Sequence, residues 1–136
     1  MIASTPSPLA RGTGRVVVVG SLNVDLHLRL DRLIRPGETL LASGGTFSPG
    51  GKGANQAYAA ALSGAQTSML GALGDDYMAE TAVRLLRRDG VDLTQVRTVA
   101  GTPTGLAVCS VDNAGENTVV VVPGANAEVS PAMVEG

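Results

Sequence analysis

Apolar and polar positions change rhythm several times along the chain, and each change predicts an element. Val16 to Val19 is an unbroken β-branched run ending in Gly20, the pattern of a strand buried on both faces in a parallel sheet. Past Ser21, Leu22 and Asn23 the rhythm becomes an alternation. Val24, Leu26, Leu28 and Leu30 point one way, and Asp25, His27, Arg29 and Asp31 the other, which predicts an amphipathic strand. Arg35-Pro36-Gly37-Glu38 reads as a turn, and Thr39 to Ser43 can extend again. Glycines then accumulate at Gly44, Gly45, Gly50, Gly51 and Gly53, a loop that opens a helix running from Ala54 to the Ser63-Gly64 stop. Gln66 to Leu73 predicts a second buried strand. Asp75 or Asp76 can cap a helix through Ala79, Ala82, Val83, Leu85 and Leu86 to Asp89-Gly90. Gln95 to Ala100 reads as a short strand, Gly105 to Asp112 as a longer one, and Asn117 to Val122 as its return across a hairpin loop at Asn113–Glu116. The alternation of strands and helices predicts an α/β fold with some antiparallel pairing.

Composition narrows the class. The 136 residues are 44% hydrophobic, enough for a core, with 18 glycines and three aromatic residues. Ten Lys and Arg against twelve Asp and Glu give a formal charge of −2, so no basic footprint for nucleic acid is present. A single cysteine excludes an internal disulfide framework and a Cys-rich zinc site, and it fits the reducing cytoplasm. No run approaches the length of a membrane span, and residues 1–14, rich in Ser, Thr, Pro and Gly, read as a disordered tail without the apolar block of a signal peptide. At the other end Ser130-Pro131 reads as a helix start only one turn from Gly136, so the sequence is expected to continue in a longer protein.

Three places carry candidate chemistry. The loop Ser48 to Asn55 puts glycines, Lys52 and Asn55 at a helix N-terminus, where free N–H groups favour a negative or oxygen-rich ligand. It is neither a phosphate loop, since Thr46 and Gly53 stand where that pattern needs Gly and Ser or Thr, nor a dinucleotide fingerprint. A solvated lysine on a glycine-rich turn is the plainer alternative. Asn23 and Asp25 follow the carboxyl end of the first buried strand, where open α/β sheets bind ligands, and a carboxylate there can hold two sugar hydroxyls. A turn amide and a solvated strand face are the structural alternatives. His27 is the only histidine, so neither a zinc cluster nor a Ser/His/Asp constellation can be assembled. Cys109 reads as an inert buried thiol, Asp75-Asp76 as a cap, and Arg87-Arg88 as a match to a helix C-terminus.

Taken in order, Gly20-Ser21-Leu22-Asn23-Val24-Asp25, Pro36-Gly37-Glu38-Thr39 and Gly50-Gly51-Lys52-Gly53-Ala54-Asn55-Gln56-Ala57 resemble the amino-terminal part of the PfkB carbohydrate kinase family, in its ribokinase branch. Gly71 to Asp75, Asp89-Gly90-Val91, Thr104-Gly105 and Gly115-Glu116-Asn117 through Asn126 continue the likeness. The resemblance implies a ribokinase-like α/β fold, a mainly parallel sheet with helices on both faces, plus a small β lid. Lid strands are expected near 24–30, 38–47 and 95–100, within an incomplete domain spanning 15–136.

The same resemblance implies ATP-dependent phosphorylation of D-ribose to D-ribose 5-phosphate. Asn23 and Asp25 would hold ribose hydroxyls, while Gly51, Lys52, Gly53 and Asn55 would wrap the opposite side of the sugar. These are binding roles, and no catalytic residue is expected in this segment. Mg2+, ATP and an activating K+ are implied mainly beyond residue 136, with the catalytic base. The face of Leu26, Leu28 and Leu30 is expected to pair two subunits through the lid. Alone, the segment is expected to be inactive. The alternatives are a non-catalytic sugar-binding or lid-dimerising module, and a related sugar or nucleoside kinase.

Overall fold

The computed structural model describes residues 14–135. The tail expected at 1–14 lies outside them except for Gly14, whose carbonyl accepts from the Gln66 N–H. The described residues build two sheets. Strands β1 (Arg15–Val19), β4 (Gln66–Gly74) and β5 (Asp92–Val99) form a parallel sheet in the order β1-β4-β5. Strands β2 (Asn23–Arg29), β3 (Gly44–Gly50), β6 (Gly105–Val111) and β7 (Asn117–Val122) form the second, in the order β3-β2-β6-β7. There β2 runs parallel to β6 and antiparallel to β3, and β6 and β7 form the expected hairpin.

Helices α1 (Lys52–Leu62) and α2 (Met78–Arg88) pack on the parallel sheet. Ala54 and Ala57 of α1 and Ala82, Val83 and Leu86 of α2 share one core with Val18, Met69 and Leu73. Among the described residues both helices therefore lie on one face of that sheet. The strand order advances in one direction from β1 to β5, and right-handed crossovers taken in one direction deliver their helices to the same side. The first strand differs from its expected burial on both faces for the same reason. Val16 and Val18 face the helices, whereas Val17 and Val19 are 63% and 48% exposed on the uncovered face.

Two further expectations are corrected. The strand expected at 95–100 as part of the lid is the end of β5, paired with β4 in the parallel sheet and not with β2 or β3. The strand expected within 38–47 begins only at Gly44 and runs to Gly50, so the glycine-rich stretch is strand where a loop was expected and Thr39 to Ser43 is not strand. Glycines and Pro49 are tolerated because β3 is an edge strand, with register fixed by seven consecutive pairs from Asn23–Gly50 to Arg29–Gly44. Helix α1 starts two residues earlier than expected, at Lys52. The helix expected after Ser130-Pro131 is a single 3-10 turn, Pro131–Met133.

Candidate functional site

The chain passes between the two sheets at four places: β1 to β2, β3 to α1, β5 to β6, and from β7 into a 3-10 turn at Gly124–Glu128. These crossings meet at the carboxyl end of β1 and enclose one side of a cleft of about 380 Å³. Asn23, Asp25, Gly51, Lys52 and Asn55 all line it, together with Ser21, Ala107, Cys109, Val119, Val121, Pro123 and Asn126. The cleft thus has one wall from the four-stranded sheet, polar at Asn23 and Asp25 and largely apolar along β6 and β7, and another from the start of α1.

Strand pairing puts Asp25 in the cleft. Its register partners are Ser48 on β3 and Ala107 on β6, with Val121 opposite Ala107 on β7, and residues opposite one another share a face. His27 is on the same face, where its Nε2 and Ser48 Oγ share a 3.0 Å hydrogen bond. Asp25 Oδ1 is buried with no hydrogen-bond partner among the described residues. Burial pushes the Asp25 carboxyl above the usual carboxylate range, against a smaller opposing pull from His27. A partnerless buried carboxylate oxygen is suited to accept hydrogen bonds from a hydroxylated ligand.

The opposite wall depends on how α1 begins. Gly51 precedes the helix with φ 96°, and a Cβ there would lie 2.5 Å from Ser21 O and 2.9 Å from Asn23 N. Only glycine satisfies both the backbone angle and the contact. The turn leaves Lys52 and Asn55 in the first turn of α1, both exposed and both at the positive end of the helix. Gly53 stands apart from the cleft. Its Cβ position is 2.7 Å from Gly20 C and 2.8 Å from Ser21 N, so its part is to let α1 touch the β1–β2 turn, where Ala54 N–H donates to Ser21 O at 3.1 Å.

Asn126, a residue without an expected role, ties the cleft together through its side chain. Oδ1 accepts from Leu22 N–H at 2.9 Å, and Nδ2 donates to Leu22 O at 3.1 Å, to Asn23 Oδ1 at 2.9 Å and to Pro123 O at 3.0 Å. No local pattern marks it, because its partners at the start of β2 are more than 100 positions away. Cys109, expected as a buried thiol, is half-buried in the cleft wall. Burial and the charge of Asp25 both raise its thiol above the usual range, so it is a weak nucleophile. Asp76 acts as a cap, as expected, accepting from Met78 and Ala79 N–H at 3.1 and 3.2 Å. Among the described residues no three His, Cys, Asp or Glu side chains are gathered to hold a metal ion, and no helix is long and apolar enough to cross a membrane.

The family model for pfkB family carbohydrate kinases matches residues 13–135. The chain belongs to the pfkB carbohydrate kinase family. Among the relatives of this pfkB-family chain is the bifunctional ribokinase/ribose-5-phosphate isomerase A of Fructilactobacillus sanfranciscensis, 42% identical over 124 residues, covering 89% of the chain and 23% of that protein. The ribokinase of Bacillus subtilis is 40% identical over 117 residues, covering 86% and 40%. In three dimensions the chain is similar to Arabidopsis thaliana ribokinase complexed with ribose and ATP, at 39% identity and a TM-score of 0.74, covering 85% of this chain and 38% of that one. The fold is ribokinase-like. The chain spans well under half the length of these relatives.

Proposed function

We propose that the protein carrying this chain is a ribokinase, and that this chain supplies its sugar-binding side. In the reaction the 5-hydroxyl oxygen of D-ribose attacks the γ-phosphorus of ATP and the bond to the β–γ bridging oxygen breaks. ADP leaves, and the hydroxyl proton passes to a base. In this reading the base and the sites for ATP, Mg2+ and K+ lie mainly beyond residue 136.

The observation that carries this reading is the convergence of Asn23, Asp25, Lys52 and Asn55, from β2 and the start of α1, on one cleft. Asp25 accepts hydrogen bonds from ribose hydroxyls, and Asn23 holds the sugar beside it. Lys52 and Asn55 donate from the other side, Gly51 lets the backbone come close, and Gly53 acts indirectly by seating α1. The apolar wall of Ala107, Val119 and Val121 covers the sugar's carbon face and keeps water from the polar contacts.

The four-stranded sheet is the lid in this reading, made of β2, β3, β6 and β7. Its face away from the cleft carries Leu26, Phe47, Val108, Val120 and Val122, and pairs with the same face of a second copy. The lone cysteine fits a cytoplasmic enzyme. The test is ribose-dependent ADP release by the full-length protein, with 2-deoxyribose and nucleosides as competing substrates. Ribose should give the highest kcat/KM, and Asp25→Ala should lower it about a hundredfold through loss of hydrogen bonds to a charged acceptor. Preference for a nucleoside, or an Asp25→Ala enzyme with unchanged kinetics, would overturn the assignment.

A further inference from the structure

We propose that Asn126 is a positioning residue for the sugar, fixing Asn23 so that its Nδ2 faces the cleft and the ligand atom held there is a hydrogen-bond acceptor. The inference rests on the sugar-binding reading of the cleft and deepens it.

The orientation of the Asn126 amide is set by the backbone. Leu22 offers it both an N–H, which Oδ1 accepts, and a carbonyl, to which Nδ2 donates. The reversed amide would set a donor against a donor and an acceptor against an acceptor, so only one orientation is stable. With that end fixed, Asn126 Nδ2 faces Asn23 at 2.9 Å, and the atom of Asn23 that meets it must be the acceptor Oδ1. The Asn23 amide is therefore fixed as well. Its Oδ1 is engaged by Asn126, and Nδ2 is the end left for the cleft that Asn23 lines.

Asn23 is only 8% exposed, so it has little room for another arrangement. Gly105 keeps the space open: a Cβ there would lie 2.2 Å from Asn126 Nδ2 and 2.3 Å from Asn23 Oδ1. The two ligand-facing groups at the start of β2 thus differ in kind. Asp25 accepts and Asn23 donates, so the sugar is read by a donor and an acceptor two residues apart on one strand face.

The test is a double-mutant cycle in the full-length enzyme, following ribose KM, ATP KM, kcat and thermal melting. Asn126→Asp places a carboxylate oxygen against Asn23 Oδ1 and favours an inverted Asn23 amide. It should raise ribose KM about tenfold, the worth of one hydrogen bond, and leave ATP KM unchanged. In an Asn23→Ala background, where nothing remains to orient, the same substitution should change ribose KM by less than about twofold. An equal rise in both backgrounds, or none in the first, would overturn the proposal, since Asn126 would then act on the whole turn or not at all. Should Asn126→Asp fail to fold, Asn23→Asp decides. It preserves the acceptor toward Asn126 but turns an oxygen to the cleft, and an unchanged ribose KM would show that no donor is needed there. A wild-type enzyme inert toward ribose would instead remove the reading of the cleft, and this inference with it.

Discussion

Asp25 Oδ1 is buried without a partner among the described residues and its carboxyl is raised by that burial, so the ionised form that the proposed sugar contact requires is the form the folded protein holds less well. For an acid whose folded-state value is raised, the neutral form's contribution to stability is complete below the ordinary carboxylate range and is lost as pH rises through the raised value. At neutral pH the ionised Asp25 therefore subtracts from stability. Asp25→Asn should melt no lower than the wild type at pH 7, the two should converge in acid, and ribose kcat/KM should fall about a hundredfold. In the wild type, ribose KM should climb as pH falls through the raised value, and the Asp25→Asn enzyme should lack that rise. Melting curves at two pH values and a pH series of ribose kinetics check this. A variant less stable at pH 7 would mean that the carboxylate has a native partner.

At the scale of elements, Asp76 and Thr104 join the start of α2 to the entry of β6. Thr104 donates to Asp76 from N–H at 2.8 Å and from Oγ1 at 2.7 Å, while Gly74 N–H donates to Thr104 Oγ1 at 3.1 Å. Burial alone would raise the Asp76 carboxyl, but the bonds from Thr104, Met78 and Ala79 outweigh it and hold the group below the usual range. A depressed acid stabilises the fold above the ordinary carboxylate range, and the contribution is lost as pH falls through the depressed value. Thr104→Val keeps the shape but leaves Gly74 N–H unpaired in the interior, which should cost about 2 kcal/mol at pH 7. The deficit should narrow in acid as Asp76 protonates in both proteins. Denaturant titrations at pH 7 and pH 3 measure it, and a constant deficit would remove Asp76 from the account. The capping half of this arrangement was legible, because Asp75-Asp76 directly precedes a helical pattern. The Thr104 half joins positions 28 apart and leaves no periodic trace. The same limit governed the strands. The β6–β7 hairpin has its turn between its strands and was legible, whereas the sheet joined by β5 depends on β4, and β3 was hidden because glycines signal a loop unless an ordered neighbour pairs with them.

At the scale of the whole molecule, the alternation along β2 was readable from the sequence, but its two faces acquire meaning only when β3, β6 and β7 extend them. One face gathers Asp25, His27, Ser48, Ala107 and Cys109, and the other Leu26, Phe47, Val108 and Val120, since each set shares one side of the pairing register. Phe47 and Val120 are 59% and 65% exposed, and Val122 extends the same apolar strip. Apolar area of that kind on a sheet face is stabilised by covering it, and a second copy presents an identical strip, so a two-fold pairing closes the surface without leaving a remainder. The proposed lid-to-lid dimer then has a direct test. Phe47→Glu with Val120→Glu should shift the full-length protein toward monomer, raising the dimer dissociation constant about a hundredfold, because four charges, two from each copy, would be buried in the centre of the contact. Sedimentation equilibrium reads the change. A wild type that is monomeric at micromolar concentration, or a double variant with an unchanged dissociation constant, would place the contact elsewhere. The cleft lies on the other face of the same sheet, so a dimer formed this way would leave each cleft open to its own subunit.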